Sequence, residues 1–347
     1  MEPSPVPLNL ALNLGKISPF PPKAGQPYPP ARNHPRWKEI YKLHDDFLMK
    51  EWPFESKKDR DMVPSRNYAG FATWCVPSAD FDRMVWAGRI TGIFFVLDDY
   101  VDNDKDLSKI PAFKQAAEVP GLENLLHPED KAEIAYHNIF AEIKRDVPPD
   151  IFKQLTKLTS EWWDSHQHGR FKTFDDYSNI RRVDTGILMS HAWFRYTLGI
   201  NLSNEEVFHP LMCEAEGIVS DHIGLVNDYI SYLKEKVSNT DDRNIIRILM
   251  DQQGCNYNEA VKIVVEKIRE KEKNFIIAGL AVINDPILGK NPEVHRWVSH
   301  LPYVMGGHHA WGQTQSSRYI VENKCEVALP SLDYAAEETP TDDRVDN

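Results

Sequence analysis

The chain has 347 residues, 41% hydrophobic and 27% charged, an ordinary globular composition with enough material to bury a sizeable core. Its formal net charge is −12 and no dense basic run occurs, which argues against nucleic acid or an anionic membrane surface as the main partner. No run approaches the roughly 20 apolar residues of a membrane helix. The N-terminus lacks the cationic stretch of a secretory signal. Cys75, Cys213, Cys255 and Cys325 are scattered without a Cys-x-x-Cys pair, so free thiols in a reducing cytoplasm are expected.

In chain order, residues 1–34 hold many of the 24 prolines and little apolar periodicity, which predicts an extended, disordered arm. A first helix is expected from His34-Pro35 to about Lys50. A second is expected to start near Pro77-Ser78, capped by Ser78, and to run through MVWAGRITGIFFVLDDY. That segment is apolar almost all round and therefore buried. Further helical patterns cover about 129–145, 150–168, 174–198, 212–236, 242–252, 257–284 and 292–320, mostly separated by short loops containing Pro or Gly. Residues 331–347 are acidic and expected to be disordered. No run of alternating β-branched residues between turn signals stands out, and there is no internal linker. The prediction is a single all-α bundle over residues 35–330.

The buried helix runs straight into the acidic segment DDYVDND, where Asp98 and Asp102, four residues apart, share one helical face. Like charges packed at the end of an apolar helix are costly unless a cation neutralises them. Hard oxygen ligands suit Mg²⁺, which is commonly shared with substrate phosphates. Alone, this motif fits a solvated acidic turn equally well. A calcium loop does not fit, because from Asp102 the required glycine falls on Leu107 and the final glutamate on Phe113. A second cluster shifts the balance. Asn227, Ser231 and Glu235 recur every fourth residue, so three oxygen donors line one stripe beside Lys234. Asn and Ser are mediocre helix formers with no structural reason to be aligned. Two oxygen-rich stripes on separate helices would make a site for more than one Mg²⁺.

An NDxxSxxKE stripe downstream of a DDxxD segment resembles the paired metal motifs of class I terpene synthases. The Asn33-His34-Pro35 opening further resembles their microbial, fungal-type members. The resemblance implies a helical bundle of the class I terpenoid synthase type with a central active-site cavity. It also implies three Mg²⁺ ions held by Asp98 and Asp102 on one side and by Asn227, Ser231 and Glu235 on the other. Arg318 and Tyr319 resemble the family's diphosphate-binding Arg-Tyr pair. The RRVDTG segment resembles its diphosphate-sensing arginine, for which Arg182 is taken because Gly186, the expected helix break facing substrate, lies four residues on. Arg181 is the alternate register.

The implied activity is ionisation of a prenyl diphosphate and cyclisation of the carbocation, by default from farnesyl diphosphate to a sesquiterpene. Arg182, Lys234, Arg318 and Tyr319 would meet the developing diphosphate charge. Diphosphate itself or a helix carbonyl could end the reaction as base. Phe94, Phe95 and Trp311 would line the pocket beneath, since aromatic faces stabilise a desolvated cation, although each alone fits simple core packing equally well. A chain-elongating prenyltransferase would carry a second aspartate-rich motif in place of Asn-Ser-Glu. A diterpene synthase acting on geranylgeranyl diphosphate, or a helical lipid- or metal-binding protein, would also accommodate these residues.

Overall fold

The apolar surface of the DDxxD-bearing helix needs cover on several sides, and the surrounding helices supply it. A computed structural model describes residues 29–104, 107–165 and 174–319, and among these there is no β-strand. Its helices of eight residues or more are α1 (Trp37–Glu51), α2 (Tyr68–Cys75), α3 (Phe81–Asp104), α4 (Lys131–Asp146), α5 (Pro149–Ser165), α6 (Phe174–Asp184), α7 (Ile187–Thr197), α8 (Pro210–Ser238), α9 (Ile245–Gln253), α10 (Tyr257–Asn284) and α11 (Pro292–Thr314). Helix α3 buries Met84, Ala87, Ile90, Ile93, Phe94 and Leu97 against α1, α2, α4 and α7. Helix α8, buried along most of its length, packs on α10 and α11. The two metal-motif helices are thereby held in one bundle.

Several boundaries differ from expectation for identifiable reasons. Helix α3 is capped by Asp80, whose Oδ1 accepts from the backbone N–H groups of Asp82 at 3.0 Å and Arg83 at 3.2 Å. The expected cap, Ser78, instead pairs with His300. The predicted 174–198 helix is two helices, because Gly186 adopts a left-handed conformation with φ of 70°. Helix α11 stops at Thr314, short of the expected residue 320, and a single 3₁₀ turn carries Ser317–Tyr319.

Helix α2 went unpredicted. Its eight residues, YAGFATWC, are all buried, so they show no amphipathic period and are too few to separate from a buried strand.

Residues 29–34, the end of the expected arm, are among the described residues. Ala31, Asn33 and His34 are buried, and His34 Nδ1 accepts from the Arg36 backbone N–H at 3.1 Å. The remainder of that arm (1–28), the acidic tail (331–347) and Cys325 lie outside the described residues. Cys75, Cys213 and Cys255 are free thiols. No described helix is long and apolar enough to cross a membrane.

Candidate active site

Where α3, α8 and the turn after α11 converge, a cavity of about 1080 Å³ opens. Its polar end holds Asp98 and Asp99 from α3, Asn227, Ser231, Lys234 and Glu235 from α8, and Arg318 and Tyr319 from the turn. The bundle thus gathers both sequence motifs and the Arg-Tyr pair around one space. That volume lies just above the roughly 300–1,000 Å³ range of small-molecule sites.

Arg318 ties the first motif. It donates from Nη2 to Asp98 Oδ2 at 3.0 Å, and Nη1 stands 2.6 Å from Asp99 Oδ1. Burial disfavours its charge, but the Asp99 and Asp98 carboxylates outweigh burial and hold its pKa well above the usual value. Asp99 also accepts from the Tyr68 hydroxyl at 3.4 Å, and Arg66 lies 3.7 Å away. The backbone of Asp102 continues α3, while its side chain lies outside the described residues.

On the second motif, Asn227 bridges two cavity groups: its Nδ2 donates to the Tyr319 hydroxyl at 3.2 Å, and its Oδ1 accepts from Arg181 Nη2 at 3.1 Å. Asn244 donates from Nδ2 to Glu235 Oε2 at 2.9 Å, which fixes that carboxylate. Burial, followed by the neighbouring Asp228 charge, raises the pKa of Glu235. Burial, and then the Arg318 charge, lowers that of Lys234. Lys234 has no carboxylate within 4.0 Å among the described residues, so an anion in the cavity would suit it. Burial pushes the Tyr319 hydroxyl up to about 12, keeping it a neutral donor.

The donors present fit a divalent cation. The Ser231 hydroxyl is buried on the cavity without a hydrogen-bond partner of ordinary geometry, and a buried carboxylate such as Glu235 favours a cation beside it. No three His, Cys, Asp or Glu side chains cluster as a metal cage among the described residues. A mixed carboxylate, amide and hydroxyl set of this kind leaves coordination positions for water and phosphate, as Mg²⁺ prefers.

The two registers of the RRVDTG segment separate clearly. Arg181 lines the cavity and grips Asp228 at 2.5 Å, Asp184 at 2.6 Å and Asn227. Arg182, the residue expected there, points away: its Nε and Nη2 donate to Asp221 at 2.7 and 2.9 Å. One residue is about 100° on a helix, enough to move a side chain from the cavity to the α8 flank. Gly186 does break the helix and lines the cavity, and a Cβ there would stand 3.1 Å from Trp162 Nε1.

Below the charged end, Phe94 and Phe95 line the cavity, joined by Phe71 and Trp162. Trp311 does not belong to the lining. It is fully buried behind Phe71 and Phe95, at ring distances of 5.4 and 5.2 Å, and its indole N–H donates to the Asn67 carbonyl at 2.7 Å. Its expected depth assumed a helix running on to Arg318, whereas α11 ends before that residue. Sequence reasoning also missed Asp228, which is buried and accepts from Arg181 and from the Ile245 backbone N–H at 2.7 Å. The aspartate beside Asn227 in the motif was the available signal.

Residues 89–274 match the family model of terpene synthase family 2, C-terminal metal binding. The chain is 23% identical over 261 residues to ophiobolin F synthase from Aspergillus clavatus, covering 72% of this chain and 34% of that protein. This chain therefore spans about a third of the length of that relative. A (3S,6E)-nerolidol synthase from Selaginella moellendorffii is 23% identical over 328 residues, covering 86% of this chain and 88% of that one. A (+)-aristolochene synthase from Penicillium expansum is 22% identical over 312 residues, covering 86% and 91%. The solved aristolochene synthase from Penicillium roqueforti shares the fold with a TM-score of 0.71 at 18% identity, over 85% of this chain and 100% of that one. With more than half its length under the family model, including both oxygen stripes and Arg181, this chain belongs to the terpene synthases of family 2.

Proposed function

We propose that the protein is a Mg²⁺-dependent cyclase that ionises farnesyl diphosphate and closes the resulting cation to a sesquiterpene. The observation that carries this reading is one cavity whose polar end gathers Asp98, Asn227, Ser231 and Glu235 with Arg181, Lys234 and Arg318, and whose deeper wall is aromatic. Asp98 and Asp102 on one side, and Asn227, Ser231 and Glu235 on the other, would hold the metal, taken as three ions. Bound there, Mg²⁺ would supply Lewis acidity to the departing diphosphate oxygens.

Arg181, Lys234, Arg318 and Tyr319 orient the diphosphate and stabilise charge as the allylic C–O bond breaks, so they act on the barrier more than on binding. The guanidinium forks suit phosphate oxygens, and Lys234 adds a point charge. Phe71, Phe94, Phe95 and Trp162 present π faces to the cation and exclude water. The nerolidol and aristolochene synthases among the relatives support the fifteen-carbon substrate, and a cytoplasmic location is part of the same reading.

The test is incubation with geranyl, farnesyl and geranylgeranyl diphosphates, with Mg²⁺ and after exhaustive chelation, following diphosphate release and products by gas chromatography. A cyclic hydrocarbon from farnesyl diphosphate, formed only with metal, is expected, with Mg²⁺ serving better than Ca²⁺. A lengthened prenyl diphosphate would identify a prenyltransferase, and a cyclic product only from geranylgeranyl diphosphate a diterpene synthase. No diphosphate release from any of the three would refute the reading and favour a binding protein.

A further inference from the structure

His308 sits on α11 immediately after Gly306 and Gly307. A Cβ on Gly307 would stand 2.2 Å from the Trp74 carbonyl oxygen, so the glycine lets α11 press directly on the backbone of α2. That close approach sets the His308 ring edge-on to Phe71, 5.9 Å away, and 6.2 Å from Trp311. The ring lines the cavity, yet the residue is only 3% exposed and its Nδ1 has no hydrogen-bond partner. A buried polar nitrogen left in this state is costly and calls for a reason.

Resting on the cyclase reading, we propose that His308 is the base that ends the reaction, taking a proton from the carbocation and so selecting which alkene is released. Burial, reinforced by the His222 and Arg181 charges, lowers the pKa of its imidazole to about 3. At neutral pH the ring is therefore uncharged when the cation forms and does not repel it. Low basicity is no obstacle, because a C–H bond beside a cationic carbon is far more acidic than an imidazolium. In the step, that C–H bond breaks, its electron pair closes the C=C bond, and the proton goes to the lone pair of the unprotonated ring nitrogen. The imidazolium so formed is strongly acidic in this site and passes its proton to diphosphate or water as products leave. The Phe71 ring beside it shields the new charge in the interval.

The experiment compares His308→Ala and His308→Phe with the parent on farnesyl diphosphate, reading the parent's major hydrocarbon per diphosphate released, with folding checked by circular dichroism. A fall of at least tenfold is expected in both variants, replaced by isomers from proton loss elsewhere or by water-trapped alcohols. In His308→Ala, added imidazole should restore the parent product, whereas pyrrole, a ring of the same size without a basic nitrogen, should not. The proposal is overturned if the major hydrocarbon persists in either variant, if imidazole fails to restore it, or if pyrrole restores it as well. A parent protein that releases no diphosphate refutes the cyclase reading itself, a result separable from all of these.

Discussion

Exchanging two adjacent arginines tests the site most sharply, because the structure gives them opposite surroundings. Arg181 holds Asp184 and Asp228, whose side chains are 7% and 1% exposed. Removing it in Arg181→Ala strands a buried carboxylate, and breaking a buried pair costs about 3–5 kcal/mol. Arg182 is 36% exposed, and its partner Asp221 keeps a second cation, Lys271 at 2.7 Å. Arg182→Ala should therefore cost about 0–1 kcal/mol, as exposed pairs do. For turnover, Arg181→Lys is the cleaner probe, since it keeps the charge and loses the fork. Hydrogen bonds to charged groups contribute about 1.5–3 kcal/mol, so kcat should fall roughly 10- to 150-fold. Urea unfolding gives the first pair of numbers, and steady-state diphosphate release at matched folded fraction gives the second. Greater loss of turnover in Arg182→Ala than in Arg181→Lys would refute the assignment and restore the register expected from the sequence.

Three further outcomes are expected. Asp98→Asn should lower turnover more than Asp99→Asn, and only the Asp98 defect should recover in part at high Mg²⁺, because Asp98 is the proposed metal ligand whereas Asp99 is engaged by Arg318, Arg66 and Tyr68. An Mg²⁺ titration of both variants checks this. Gly307→Ala forces a Cβ to 2.2 Å from the Trp74 carbonyl oxygen, so the urea midpoint should drop by an amount equivalent to about 1–3 kcal/mol. His300 is held down at about 4 by burial. Its folded pKa lies below the unfolded value, so the unfolded chain binds more protons between the two. The His300 contribution is therefore present above pH 6.5 and lost as pH falls toward 4. Stability measured from pH 7 to 4 should fall more steeply in the parent than in His300→Gln, by up to about 1.4 kcal/mol per pH unit, and equal slopes would contradict this.

The polar end of the cavity was legible because its chemistry restricts residue type. Carboxylates after an apolar run, and Asn, Ser and Glu every fourth residue, have few structural reasons to occur, so the pattern itself carried information. The helices were legible for a similar reason, since long amphipathic periods are unambiguous. Where the period vanished, as in fully buried α2, the element was lost, and with it Phe71. Which arginine lines the cavity was illegible for another reason. Both arginines fit the motif, and the choice depended on where the helix axis turns at Gly186, a tertiary fact that no local pattern encodes.

The apolar end shows why pocket lining resists sequence reading. Phe71, Trp162 and Trp311 are chemically alike and each at most 6% exposed, yet two face the cavity and one backs it. A hydrogen bond holds Trp311 on the far side. The Trp311 indole N–H donates to the carbonyl of Asn67, which sits at a left-handed turn with φ of 48°. That turn joins a short helix to α2, the element invisible to periodicity. Trp311, a few residues before Arg318 in the chain, is thus buttress rather than wall, while the wall residue Phe71 comes from a helix more than 200 residues away in sequence. Substitutions at Trp311 should accordingly act on product identity only through the cavity residues packed on it, Phe71, Phe95, His308 and Tyr319, and those at Phe71 directly. Phe71→Leu should therefore redistribute products per diphosphate released with little change in unfolding midpoint, whereas Trp311→Leu should lower that midpoint first, by an amount equivalent to roughly 2–4 kcal/mol for a large buried aromatic. Equal stability loss in the two variants would erase the distinction between wall and buttress.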